Sequence, residues 1–127
     1  MGISSKNMNQ RRPRQHDKAH LDFIRQLPCC VCGDPIHTQA AHIRYSDARV
    51  GKVNAGVGAK PHDRFTVPLC NIHHDQQHNM GNERRFWELY KIDPILIALA
   101  LYSISGDMEE AERIINARQI SSILTAG

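Results

Sequence analysis

At 127 residues, with a net charge of +3 and 41% hydrophobic side chains, the chain has room for one modest core, since a second would leave each half marginal. No apolar run approaches the roughly 20 residues that span a bilayer, which excludes a membrane-spanning helix. The charge is uneven: residues 1–20 hold Lys6, Arg11, Arg12, Arg14 and Lys18 against Asp17 alone, a net +4 that leaves the remainder at −1. Such an arm attracts phosphate backbones by counterion release, although an ordinary solvated tail has the same composition. No N-terminal stretch joins a basic start, an apolar run and a small-residue cleavage site, so secretion is not expected and a cytoplasmic location is. In a reducing cytosol Cys29, Cys30, Cys32 and Cys70 read as metal ligands rather than a disulfide framework. With one Trp, three Tyr and three Phe, the core is small enough to gain from a metal staple.

In chain order, residues 1–16 form a basic arm without apolar periodicity, expected to lack a fold of its own. From Asp17, a capping residue, Ala19, Leu21, Phe23, Ile24 and Leu27 suit one face of a short helix that Pro28 stops. Residues 29–37 read as a tight knuckle with turn chemistry at Gly33, Asp34 and Pro35, and residues 38–43 as a short strand. Residues 44–63 carry three glycines, Arg44, Arg49, Lys52 and Lys60, and almost no large apolar residue. They predict a long surface loop without secondary structure, of the length that usually contacts a substrate or moves freely. Gly56, Gly58 and Lys60 do not make a phosphate-binding loop, because the G-x4-G-K-[ST] pattern and a preceding strand are missing.

A second strand is predicted at Phe65–Leu69, followed by a helix from Asn71 to about Gln77 that Gly81 ends. Asn82 caps a third helix with Phe86, Leu89 and Tyr90 on one side, and Asp93-Pro94 opens a fourth, apolar nearly all round through Ile104. Met108, Ala111, Ile114 and Ile115 mark a last amphipathic helix with a fraying Ser-rich end. The resulting division is a basic arm at 1–16, a core at 17–80, a helical extension of the same domain at 81–120 and a tail at 121–127. The apolar fourth helix needs a buried face, which the core, a second copy of the chain or an adaptor partner would satisfy.

Cys29-x2-Cys32 is answered, beyond residues 33–69, by Cys70-x2-His73, and two such ligand pairs on two knuckles are what tetrahedral zinc requires. Incidental thiols would not explain why Cys70 arrives with a histidine at the matching offset. Cys30 fits least, since it would leave one residue between ligands. His74 and His78 stand four residues apart, one above the other on a helix, and four of the eight histidines fall between positions 62 and 78. A second metal site follows from that clustering. His42 interrupts an apolar strand, Ala40-Ala41-His42-Ile43, either as a satisfied core histidine or as a base that deprotonates water in a strand, strand and metal-bearing helix unit.

Cys29-Cys30-Val31-Cys32-Gly33, Ala41-His42, Gly56-Val57-Gly58-Ala59-Lys60-Pro61-His62-Asp63 and Val67-Pro68-Leu69-Cys70-Asn71-Ile72-His73-His74 with His78 together resemble the HNH, or ββα-metal, endonucleases, in particular small phage and prophage members. The resemblance implies an α+β fold, a small zinc-stabilised ββα-metal core with an N-terminal helix and additional C-terminal helices. It further implies that His42 is the general base, that His74 and His78 bind the catalytic divalent ion (Mg, Mn, Ni or Zn), and that Cys29, Cys32, Cys70 and His73 hold structural zinc. DNA is the implied partner, contacted by Arg11, Arg12, Arg14, Arg44, Arg49, Lys52 and Lys60, inside a bacterial host cell. A homodimer through the C-terminal helices is compatible.

Two departures mark this chain. Ala41 stands where many members carry a metal-binding Asp or His, so one ligand is absent or comes from elsewhere, with His42 itself or an Asp63 oxygen as the candidates. The family's middle Asn would fall near Phe65, with Asp63 or Asn71 as the nearby polar substitute. Ala41 favours a second function, a zinc-stabilised DNA-binding module without catalysis. His42, His74 and His78, which such a module would not need, favour the nuclease.

Overall fold

Asp17 starts the first helix by accepting the backbone N–H of His20 at 3.0 Å, one of the donors that the first turn of a helix leaves without a partner. The computed structural model of the chain describes residues 17–52 and 62–126, the stretch 118–126 by backbone alone. The basic arm and residues 53–61, including Lys60, therefore lie outside the described residues. Helix α1 (Lys18–Arg25) buries His20, Leu21, Phe23 and Ile24. A knuckle follows, then strand β1 (Thr38–His42), which pairs antiparallel with β2 (Thr66–Cys70) in the register Thr38 with Cys70 and His42 with Thr66.

The segment between the strands departs from the expected structureless loop. Asp47 and Lys52 pair through reciprocal backbone hydrogen bonds of 2.9 and 3.0 Å around a 3₁₀ turn at Ala48–Val50, and Gly51 closes the turn with φ +69°. A residue with a Cβ is strained at that angle, which is why glycine stands there. The turn also has an N-terminal cap, since the Asp47 carboxylate accepts the Arg49 N–H at 3.0 Å.

Helix α2 (Asn71–Met80) begins directly at the end of β2 and runs three residues past Gln77 before Gly81, at φ +70°, turns the chain away. Helix α3 (Glu83–Tyr90) is capped by Asn82, and α4 (Pro94–Ser103) by Asp93, whose Oδ1 accepts the N–H groups of Ile95 and Leu96. Helix α5 spans Met108–Ala126, so its backbone continues through the stretch assigned to a fraying tail. The chain is thus a small α+β protein with five helices and a two-stranded sheet among its described residues. None of these helices is long and apolar enough to cross a membrane.

One core joins the elements. Ile24 and Leu27 beside α1, Ile43, Val67 and Leu69 of the sheet region, Phe86 and Trp87 of α3, Ile95 and Leu101 of α4 and Ile115 of α5 are all fully or almost fully buried. The buried face of α3 is Phe86-Trp87, not the expected Phe86, Leu89 and Tyr90: Leu89 is 58% exposed. At the αL turn of Lys91 the Ile92 N–H donates to Trp87 O at 3.1 Å, which turns the chain back towards Trp87 and leaves Leu89 exposed. Helix α4 packs Ile95, Ile97, Ala98 and Leu101 inward and exposes Leu96.

Candidate metal centre and active site

The knuckle that carries Cys29 and Cys32 is held by its own backbone. Cys29 N–H donates to Asp34 O at 2.9 Å, Gly33 N–H to Cys29 O at 2.8 Å with Gly33 at φ +84°, and Val31 N–H points at Cys29 Sγ from 3.4 Å. Cys30 N–H donates to Pro68 O at 2.9 Å, which ties the knuckle to β2 two residues before Cys70. Helix α2, starting at once after Cys70, swings His73 back towards the sulfurs. As a result Cys29, Cys32, Cys70 and His73 bring one donor atom each to within 4.8 Å of one another, a close cluster compatible with a metal site.

The donor set can be tested against tetrahedral geometry. Zinc–sulfur and zinc–nitrogen bonds of about 2.3 and 2.0 Å imply donors roughly 3.5–3.8 Å apart. Cys32 Sγ lies 3.8 Å from Cys70 Sγ, and His73 Nδ1 lies 3.3 Å from Cys70 Sγ and 3.9 Å from Cys29 Sγ. The residues fit the ion. Loss of solvent around its sulfur, together with the neighbouring Cys29 and Cys70 thiols, pushes the Cys32 thiol up to about 12, a crowding of sulfur that a dication would relieve. Burial lowers His73, keeping its ring in the neutral form that ligates. Cys30, fully buried in the core, is outside the set, as its spacing suggested.

Four residues along β1 from the Thr38 that pairs with Cys70, His42 ends the strand with Nε2 at 2.8 Å from Asp63 Oδ1. From α2, His74 engages Gln39 Oε1 through Nδ1 at 2.7 Å, and the His78 ring lies 4.7 Å away, centroid to centroid. Burial lowers His74, and the neighbouring His78 lowers it further, against the raising charge of Asp75. His42, His74 and His78 do not converge as the cysteine cluster does. Among the described residues, Cys29, Cys32, Cys70 and His73 are the one set of three or more such side chains with donors this close.

Asp63 corrects an expectation. As a candidate metal oxygen it would need an outward lone pair, but the carboxylate is fully buried, with Oδ1 on His42 and Oδ2 accepting the Asp17 N–H at 2.7 Å. Lys52 is a second correction. It is 5% exposed, its Nζ donates to Tyr45 O at 2.7 Å and lies 5.2 Å from the Phe65 ring centre, and burial lowers its pKa, so it is a core strut rather than a phosphate contact. Arg49 is exposed, yet its guanidinium is shared between Asp47 and Asp93, at 2.5 and 2.9 Å, and it fastens the 3₁₀ turn to the start of α4 rather than offering free charge. Arg44 keeps an exposed side chain while its backbone N–H donates to Glu83 Oε1 at 3.1 Å. Arg11, Arg12, Arg14 and Lys60 fall outside the described residues. Sequence reasoning passed over Arg84, which stacks 4.3 Å from the Tyr45 ring centre and donates to Ser46 O, and Gln39; neither stands in a motif.

Residues 6–101 match the family described as a protein of unknown function, DUF968. Over 68 residues the chain is 31% identical to the uncharacterized protein YdfU of Escherichia coli (strain K12), covering 54% of this chain and 18% of that protein. The chain therefore spans under a fifth of that relative's length. No solved structure matches it.

Proposed function

Because the chain belongs to the DUF968 family of proteins of unknown function, its chemistry has to come from its own residues, and we propose that it is a metal-dependent endonuclease of the HNH type acting on DNA. The observation that carries the reading is the pair of ring faces on α2, His74 and His78 with centroids 4.7 Å apart, beside a Cys3His cluster that shares the same helix, with His42 held on Asp63 at the end of β1. A binding module needs the cluster but not the three histidines. In the proposed reaction a water attacks the scissile phosphorus, its proton passes to the neutral His42 imidazole, and the P–O3′ bond breaks. Nε2 of His74 and a nitrogen of His78 would hold the divalent ion, which supplies charge stabilisation for the phosphate and the leaving oxygen. Arg44, exposed two residues beyond His42, draws the phosphate backbone towards the site. Zinc in the Cys29, Cys32, Cys70 and His73 cluster is the structural cofactor.

The test is cleavage of plasmid DNA by the full chain in Mg, Mn, Ni or Zn. His42→Ala should lose roughly 10²–10⁴-fold in rate with DNA affinity and melting temperature kept. One observation favours the second reading, a zinc-stabilised DNA-binding module: Ala41, buried and without a donor, leaves two helical histidines as an incomplete ligand set. DNA binding without cleavage in any of the four ions would establish that module and overturn the nuclease.

A further inference from the structure

The segment His62–Phe65 is pinned far more firmly than a turn before a strand requires. Phe65 N–H donates to His62 O at 3.0 Å, the Thr66 hydroxyl to Asp63 O at 2.6 Å, and Ile43 N–H to Phe65 O at 2.8 Å, which clamps the turn to the end of β1. At its centre the fully buried Asp63 carboxylate spans two elements distant in sequence. Oδ2 accepts the N–H of Asp17, the cap of α1, and Oδ1 meets Nε2 of His42. A backbone N–H can only donate, so it fixes the carboxylate as an acceptor on that side. An ionised carboxylate then has acceptor lone pairs alone to offer His42.

We infer that Asp63, anchored by the Asp17 N–H, is the positioning residue for His42, holding the neutral imidazole as the Nε2–H tautomer with its basic lone pair on Nδ1. The inference rests on the nuclease reading only for its consequence to rate. When a water proton is taken, an O–H bond breaks and an Nδ1–H bond forms. Nε2 keeps its hydrogen, and Asp63 stays ionised beside the new imidazolium. The carboxylate gives up no proton and touches no substrate; it sets ring orientation and tautomer and stabilises the charge that appears. Helix α1 thereby becomes part of the site, although none of its side chains reaches the phosphate in this scheme.

Long-range 1H–15N correlation spectra of the histidine rings in the full, metal-replete chain test the tautomer without relying on cleavage, with His42→Ala identifying the signal. Neutral His42 should be protonated at Nε2; an Nδ1–H signature for that ring in the wild-type chain overturns the inference whatever becomes of any Asp63 variant. Asp63→Asn offers one acceptor oxygen to two N–H donors, so it should shift His42 towards Nδ1–H and lower kcat roughly 10²–10⁴-fold with KM and bound zinc unchanged. In the His42→Ala background the same change should cost nothing further, because Asp63 acts through that ring. A variant that melts early yet keeps the wild-type tautomer and kcat would make Asp63 a structural buttress and sink the proposal. An Nε2–H signal in a chain that cuts no DNA would leave the pairing standing and refute the nuclease reading alone.

Discussion

Around Cys29, Cys32, Cys70 and His73 four donors meet within 4.8 Å, two of them on a knuckle tied by its own backbone hydrogen bonds, whereas His42, His74 and His78 do not close on a common point. The first region brings together four donors, the number that a tetrahedral metal shell takes. The second has ring nitrogens oriented by partners, Asp63 for His42 and Gln39 for His74, and an incomplete shell. A closed set stabilises a fold, while an open one leaves coordination positions for water and phosphate. The two centres share one helix, with His73 facing one and His74 the other.

The strongest way to break this contrast is to remove the closed set. Cys70→Ser should cost on the order of 10 kcal/mol of folding free energy at neutral pH, so the variant should be unfolded by circular dichroism and hold no zinc, against about one zinc per chain in the wild type. A folded, zinc-free wild-type protein would end the structural role. The open set should respond differently. His74→Ala and His78→Ala should keep the zinc and the melting temperature but lose metal-dependent cleavage, with part of the rate returning at high metal concentration. If His74→Ala releases the zinc and His73→Ala does not, the two adjacent histidines are assigned the wrong way round.

A smaller effect separates two lysine and arginine positions that look alike in sequence. Lys52→Gln should destabilise the fold by about 1–3 kcal/mol through the buried Tyr45 carbonyl left without its donor, and barely change DNA binding at temperatures where the variant is folded. Arg44→Gln should leave the melting temperature alone and reduce the salt slope of DNA binding by about one contact. Equal effects of the two changes on binding would return Lys52 to the DNA surface.

The smallest effect concerns His20. Burial lowers its pKa, against the opposing charges of Asp17 and Asp63, and its Nε2 is buried with no hydrogen-bond acceptor in reach, so a proton added there has no partner. Since the folded value lies below the unfolded one of about 6.5, the contribution of neutral His20 is complete above that pH. It is lost as the pH falls from there towards the folded value, with a slope of one proton. His20→Phe should flatten the decline in melting temperature between pH 7 and 5. A parallel decline in both proteins would place the acid sensitivity elsewhere.

Much of the fold was legible because its signals are local. Asp17, Asn82 and Asp93 cap helices by bonds two or three residues long, Gly81 ends α2 through its own φ, and the Cys-x2-Cys and Cys-x2-His spacings fit a donor set that the knuckle and helix then bring together. The apolar pattern of α3 misled because Leu89 and Trp87 are equally hydrophobic in sequence, and only the path of the chain after Lys91 selects which is covered. Lys52 reads as a loop cation until Tyr45 and Phe65 enclose it.

The sequence by itself determined the element order, the caps, the zinc-type ligand pairs and the histidines available for chemistry, all of them properties of residue type and short spacing. Only the tertiary structure decided what Asp63 and Gln39 do, which charges remain available to a ligand, and which face of each helix is buried. Asp63 meets His42 across 21 residues and Asp17 across 46, and whether a carboxylate ligates a metal, faces water or holds an imidazole depends on which groups that distant packing places within about 3 Å of its oxygens.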